Sequence, residues 1–183
     1  MKRLFKLLAV SICLGVTLPG QAQEPQAIVD LQSPSLISAV LDRAKTYLGT
    51  PYHYGGTTPK GFDCSGFVRF VFGSFGFGLD RTSHSQANQG DPIDLQQIQP
   101  GDLLFFRTRG NQNRVSHVGI YLGQGQFIHA GSWGGPGKRG VKIGELDSSY
   151  YANRLISARR VLTQPMGTTE VLEQFLRGKD SER

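Results

Sequence analysis

Apolar positions recur every three or four residues up to about residue 90, and from residue 103 they come in short alternating or continuous runs. In "SPSLISAVLDRAKTYLGT" the residues Leu36, Ile37, Val40, Leu41, Ala44, Tyr47 and Leu48 fall on one helical face. Ser35 is placed to cap that helix and Gly49 to end it. A second helix is predicted from Cys64 to about Phe72, capped by Asp63, with Phe67, Val68, Val71 and Phe72 inward. The glycine- and aromatic-rich stretch "TPYHYGGTTPKGFD" reads as the loop between them, and a third short helix is predicted around Ser83 to Gln89. After the turn "QPGD", the runs "LLFFR", "VSHVGIYLG", "QFIHAG", "GVKIGEL" and "RLISARRVL" read as strands. Helices first and strands afterwards predict an α+β domain: N-terminal helices packed on a small antiparallel sheet of about five to six strands, covered on one side.

The two ends stand outside this pattern. Residues 1–22 open with Lys2, Arg3 and Lys6, run apolar from Leu7 to Leu18, and break at Pro19 and Gly20 before the small residue Ala22. That is the layout of a signal peptide, too short in its apolar run to span a bilayer as a helix. Cys13 raises the alternative of lipid modification, but Val10, Ser11 and Ile12 lack the small residue wanted beside such a cysteine, so a lipid anchor is not expected. Residues 23–34 read as a flexible leader, 35–163 as the folded domain, and 164–183 as a tail with a short helix in "TTEVLEQFLRG".

Cleavage near Ala22 changes two counts. It lowers the formal charge from +6 to +3, which leaves no footprint for a nucleic-acid partner. It also removes one of the two cysteines, leaving Cys64 as a lone thiol in an oxidising compartment, where an unpaired cysteine is buried or used. At the first turn of a helix, unpaired N–H groups favour its thiolate. The base would come from His117 or His129, twelve positions apart on strands joined by "YLGQGQ". On one face of such a hairpin, one imidazole takes the thiol proton and the other orients it through its far nitrogen. Each residue also has a plain reading, a cysteine packed as a small hydrophobe and histidines satisfied in a core. One Cys and two His lack a short-spaced ligand pair, so neither a metal nor another cofactor is expected. His53 and His84 read as surface residues.

The blocks "LGTPYHYGG", "GFDCSGFV", "PGDLLFF", "SHVGIYLG" and "FIHAG" occur here in an order and at intervals that resemble the NlpC-type cell-wall cysteine peptidases, a papain-like family. The resemblance covers about residues 36–162. It implies a periplasmic endopeptidase of a Gram-negative bacterium that hydrolyses amide bonds in peptidoglycan stem peptides or cross-links through a thioester. Carried over by position, Cys64 is the nucleophile, His117 the base and His129 the third polar residue. Tyr52 would support the active site as an oxyanion donor, while Asp63 and Ser65 would bind substrate. For Asp63 a plain helix cap is the competing reading, and Asp102 reads as a turn residue with structural work only. The loops 107–114 and 131–140, with their Arg and Lys and with Trp133, border the histidine strands. Peptidoglycan is the one partner expected, with no integral membrane span and a monomeric chain. An amidase or acyltransferase on the same scaffold, or a non-catalytic wall-binding adaptor, are the alternatives.

Overall fold

The computed structural model describes residues 35–108, 114–133 and 139–162. The expected signal peptide with Cys13, the leader, the tail helix, and residues 109–113 and 134–138 of the two bordering loops lie outside the described residues.

Helix α1 (Leu36–Lys45) starts where Ser35 Oγ accepts the Ser38 N–H at 3.2 Å, and it buries Val40, Leu41 and Ala44. It ends at Thr46, short of Gly49, because residues 46–49 form a separate turn. Gly49 adopts the positive φ of 84° at the close of that turn and donates its N–H to Val141 O at 2.9 Å. The loop that follows is more ordered than its composition predicts. It contains a tight antiparallel hairpin, β1 (Thr57–Thr58) and β2 (Gly61–Phe62), whose two-residue strands are too short to leave a periodic signal. Helix α2 (Cys64–Gly73) and the one-turn α3 (Ser83–Gln86) then follow, the latter ending three residues before the predicted Gln89.

Six antiparallel strands make the sheet: β3 (Asp91–Ile93), β4 (Leu103–Phe106), β5 (His117–Gly123), β6 (Gln126–Gly131), β7 (Gly140–Glu145) and β8 (Leu155–Arg160). Their spatial order is β3-β8-β4-β5-β6-β7. The predicted α+β class and strand number hold, with β3 the strand that the sequence did not announce.

The sheet is covered on both faces, not on one. Strand β4 shows why: "LLFF" is buried at all four positions, and successive side chains point to opposite faces. Leu103 and Phe105 join the main core with Val118, Ile120, Ile128 and the apolar faces of α1 and α2. Leu104 and Phe106 join a second cluster with Phe127 and Ala158, roofed by Leu95, Ile98, Tyr151 and Leu155 from the connecting loops and β8. Apart from Leu155 on β8, these roofing residues lie in the connections between elements, where no apolar period announces them.

Candidate active site

Three local features place Cys64 at the start of α2. Phe62, fully buried, meets the rings of Tyr47, Phe67 and Phe70 edge-on or tilted and anchors the chain just before the helix. Asp63 caps the helix, its Oδ1 accepting the Gly66 N–H at 2.7 Å and its Oδ2 the Gly55 N–H at 3.0 Å. Gly66 lets the first turn press on the preceding loop, since a Cβ there would lie 2.0 Å from Gly56 O.

The thiol is half-buried against the main core. Burial first, and then the charge of Asp63, push its pKa up to about 11. The backbone N–H groups of Val118, Ser65 and Cys64 itself pull the other way. The helix-end donors that the sequence leads one to expect are therefore present, but desolvation outweighs them and the resting group is a thiol. Val118 directly follows His117, so the thiol faces the start of β5.

On β5 and β6, His117 and His129 are both buried, and His117 Nε2 lies 2.9 Å from His129 Nδ1. The hairpin between the strands turns through Gly123, Gln124 and Gly125, all at positive φ. Phe127 stacks on the His129 ring at 4.9 Å, and Gly144 on β7 leaves room for both, since a Cβ there would meet Phe127 at 2.7 Å. Burial, the neighbouring His117 and then Lys142 lower the His129 pKa well below 6.5, so that imidazole is neutral. The two rings spend facing nitrogens on each other in a hydrogen bond, and among the described residues no group of three His, Cys, Asp or Glu is placed to hold a metal.

Asp63 and Ser65 belong to one network. The Arg81 guanidinium takes both oxygens of Asp63, with Nη1 at 3.1 Å from Oδ1, and the same Nη1 donates to Ser65 Oγ at 3.1 Å. Hydrogen bonding to Asp63 raises the Arg81 pKa above its usual value, and the nearby Cys64 and Tyr52 act in the same direction. Gln86 is fully buried and donates to Ser65 O at 3.1 Å and Asp80 O at 2.8 Å, which ties α3 to the start of α2. Tyr52 is half-buried and its backbone bridges Phe62, two residues before Cys64.

Arg81, Gln86 and Tyr151 are neighbours of the site that the sequence did not reveal. They sit in turns or a single helical turn, where nothing periodic marks them. Tyr151 Oη lies 3.4 Å from His129 Nε2, on the far side of that ring from His117. For His53, His84 and Asp102 the placement agrees with the sequence reading. His53 and His84 are exposed. Asp102 is a buried turn residue that accepts the Gln99 N–H at 2.7 Å and pairs with Arg160 through Nε at 2.8 Å and Nη2 at 2.9 Å. Trp133 is exposed, with its carbonyl accepting from Lys142 Nζ at 2.8 Å and its ring stacked near Tyr150.

Comparison with known proteins places this geometry. Residues 49–160 match the profile of the NlpC/P60 family. The chain is 41% identical over 130 residues to the probable endopeptidase NlpC of Escherichia coli K12, covering 70% of this chain and 80% of that one. It is 38% identical over 128 residues to the murein DD-endopeptidase MepS/murein LD-carboxypeptidase of the same strain, covering 69% of this chain and 64% of that one. Among solved structures, an NlpC/P60 family protein from Bacillus cereus superposes with a TM-score of 0.63 at 35% identity, over 71% of this chain and 41% of that one. The chain thus spans less than two thirds of the second relative and of the solved neighbour.

Proposed function

Because this chain belongs to the NlpC/P60 family of hydrolases, we propose that it is an exported cysteine endopeptidase acting on amide bonds in peptidoglycan stem peptides or cross-links. Its papain-like α+β fold is that of the family, and relatives named for murein endopeptidase activity supply the substrate class. The observation that supports the triad most directly is the 2.9 Å contact between His117 Nε2 and His129 Nδ1, on strands that bring His117 next to the residue facing the thiol.

With Nε2 engaged, Nδ1 of His117 is the nitrogen that takes the Cys64 proton. Sγ attacks the scissile carbonyl, the C–S bond forms, and the carbonyl electron pair moves to oxygen. The backbone N–H of Cys64 and the hydroxyl of Tyr52 are the donors assigned to that oxyanion. Collapse breaks the C–N bond as His117 returns the proton to the departing amine. Water, deprotonated by the same imidazole, then cleaves the thioester and restores the thiol and a free carboxylate. Asp63 and Ser65 are the residues assigned to substrate binding; both are buried, and they would act through Arg81, the more exposed member of their hydrogen-bond network. The proposed domain layout has residues 1–22 directing export, most simply to a periplasm, and 35–163 acting as the catalytic unit. Among the described residues no helix is long and apolar enough to cross a membrane.

The test is digestion of purified cross-linked muropeptides by wild type and Cys64→Ser, read by mass spectrometry. Products from wild type alone are expected, and their masses identify the bond. Equal products from Cys64→Ser would overturn thiol catalysis. Transfer products in place of hydrolysis would favour an acyltransferase, and binding without turnover a wall-binding adaptor.

A further inference from the structure

The His117–His129 contact leaves one question open: where the single ring proton of the neutral, buried His129 resides. If it were on Nδ1, it would be donated to His117 Nε2, and neutral His117 would then carry its own proton on Nδ1. That nitrogen would be unable to accept the thiol proton. The imidazolium formed during turnover would also set one N–H against another. Productive chemistry therefore needs His129 protonated on Nε2, with Nδ1 accepting from His117.

A buried N–H without an acceptor costs about 1–3 kcal/mol, so the Nε2 tautomer needs a partner on the far side of the ring. Phe127 stacks on that ring and Gly144 lies close to its Nε2 edge, and neither offers a side-chain acceptor there. Tyr151, from the turn between β7 and β8, places Oη 3.4 Å from Nε2. Its ring centroid lies 5.5 Å from that of His129 and 6.4 Å from that of His117, nearly parallel to the latter at 22°, so it neighbours both imidazoles. The turn is fixed by the Tyr151 N–H donating to Ser148 O at 3.0 Å and the Arg154 N–H donating to Tyr151 O at 2.9 Å. We propose that Tyr151 is the positioning residue that sets the tautomer of His129, accepting its Nε2–H and so leaving Nδ1 of His117 open to the thiol proton. The 3.4 Å separation is at the long end for a hydrogen bond, so the bias it gives toward the Nε2–H tautomer is that of a single modest contact. The phenol stays protonated throughout, because burial raises its pKa far above neutrality. Tyr150 and Cys64 act in the same direction, and Arg154 opposes them.

The proposal rests on the catalytic reading above, and the deciding measurement is independent of activity. Long-range proton–nitrogen NMR of the full chain labelled at histidine reads the tautomer directly. Wild type is expected to show His129 protonated at Nε2, and Tyr151→Phe to shift population toward Nδ1–H. Protonation at Nδ1 in wild type, or an unchanged tautomer in Tyr151→Phe, would overturn the proposal whether or not muropeptides are cleaved. In turnover, Tyr151→Phe is expected to lower kcat about tenfold with KM unchanged, the scale of one hydrogen bond. In a His129→Asn background the same change should cost almost nothing, because an amide has no tautomer to set. A full tenfold loss there would show that Tyr151 acts independently of His129.

Discussion

A thiol with a pKa near 11 is almost wholly protonated at neutral pH, so under the proposed mechanism Cys64 gains its charge only as His117 takes the proton during attack. Alkylation by iodoacetamide should accordingly be slow at pH 7 and rise about tenfold per pH unit up to about pH 10, as the thiolate fraction grows. Cys64→Ser gives the background from any other thiol. A rate that levels off by pH 7 would reveal a standing thiolate–imidazolium pair instead. At this scale the sequence was readable wherever chemistry and local pattern coincide. Cys64 opens a helix whose cap and apolar face are visible in "DCSGFV", and the two histidines sit on strands joined by a glycine hairpin. Arg81 and Tyr151 were not readable, because they reach their partners across 18 and 22 positions from turns. The depth of the thiol was not readable either, since it depends on how closely α2 settles against β5.

Among the elements, α2 is held most tightly at its beginning and least at its end. Gly66→Ala would drive a Cβ into Gly56 O, a rigid backbone atom at 2.0 Å, and so prise the helix that begins at Cys64 from the loop that carries Tyr52. A loss of about 3 kcal/mol, at the upper end for overpacking, together with loss of activity is expected from denaturant unfolding and turnover assays. Gly73→Ala, where a Cβ meets nothing within 4 Å, should instead stabilise the protein by about 0.5–1 kcal/mol with turnover unchanged. Equal effects of the two changes would mean that the close approach at Gly66 does not matter. The longer elements were legible from their apolar pattern: α1 and α2 repeat by thirds and fourths, and β5 and β6 are short apolar runs set off by glycines. The hairpin β1–β2 and strand β3 have two or three residues each, too few for any repeat. The second core was missed because "LLFF" fits a strand buried on one face or on both, and only the turns packed over it decide which.

For the molecule as a whole, buried titrating groups set the pH range of stability. In the unfolded chain His129 protonates near pH 6.5, whereas in the fold it resists. The unfolded state then binds the extra proton, and stability falls by about 1.4 kcal/mol per unit as pH drops below 6.5, until the folded group also protonates. Cys64 acts at the other end: its folded pKa is raised from 9.0 to about 11, so stability is full below 9 and declines as pH rises through that window. Thermal melts should show a plateau between about pH 6.5 and 9. In His129→Gln, which cannot titrate, the decline on the acid side should be shallower than in wild type, and equal acid slopes would assign that decline to other groups.

The strand order has a consequence in time. Strand β8, the last among the described residues, is inserted between β3 and β4, and the Arg160–Asp102 pair fastens it to the turn that leads into β4. A chain emerging N-terminus first can assemble its helices and β4 to β7 while the outer edge of "LLFF" still lacks its neighbour and β3 has nothing to dock on. Until residue 160 has been delivered, that edge is an apolar template open to any other extended chain. Release before residue 155 would therefore yield a sticky half-sheet rather than a shortened enzyme, and a chaperone that shields β4 would have its work in that interval.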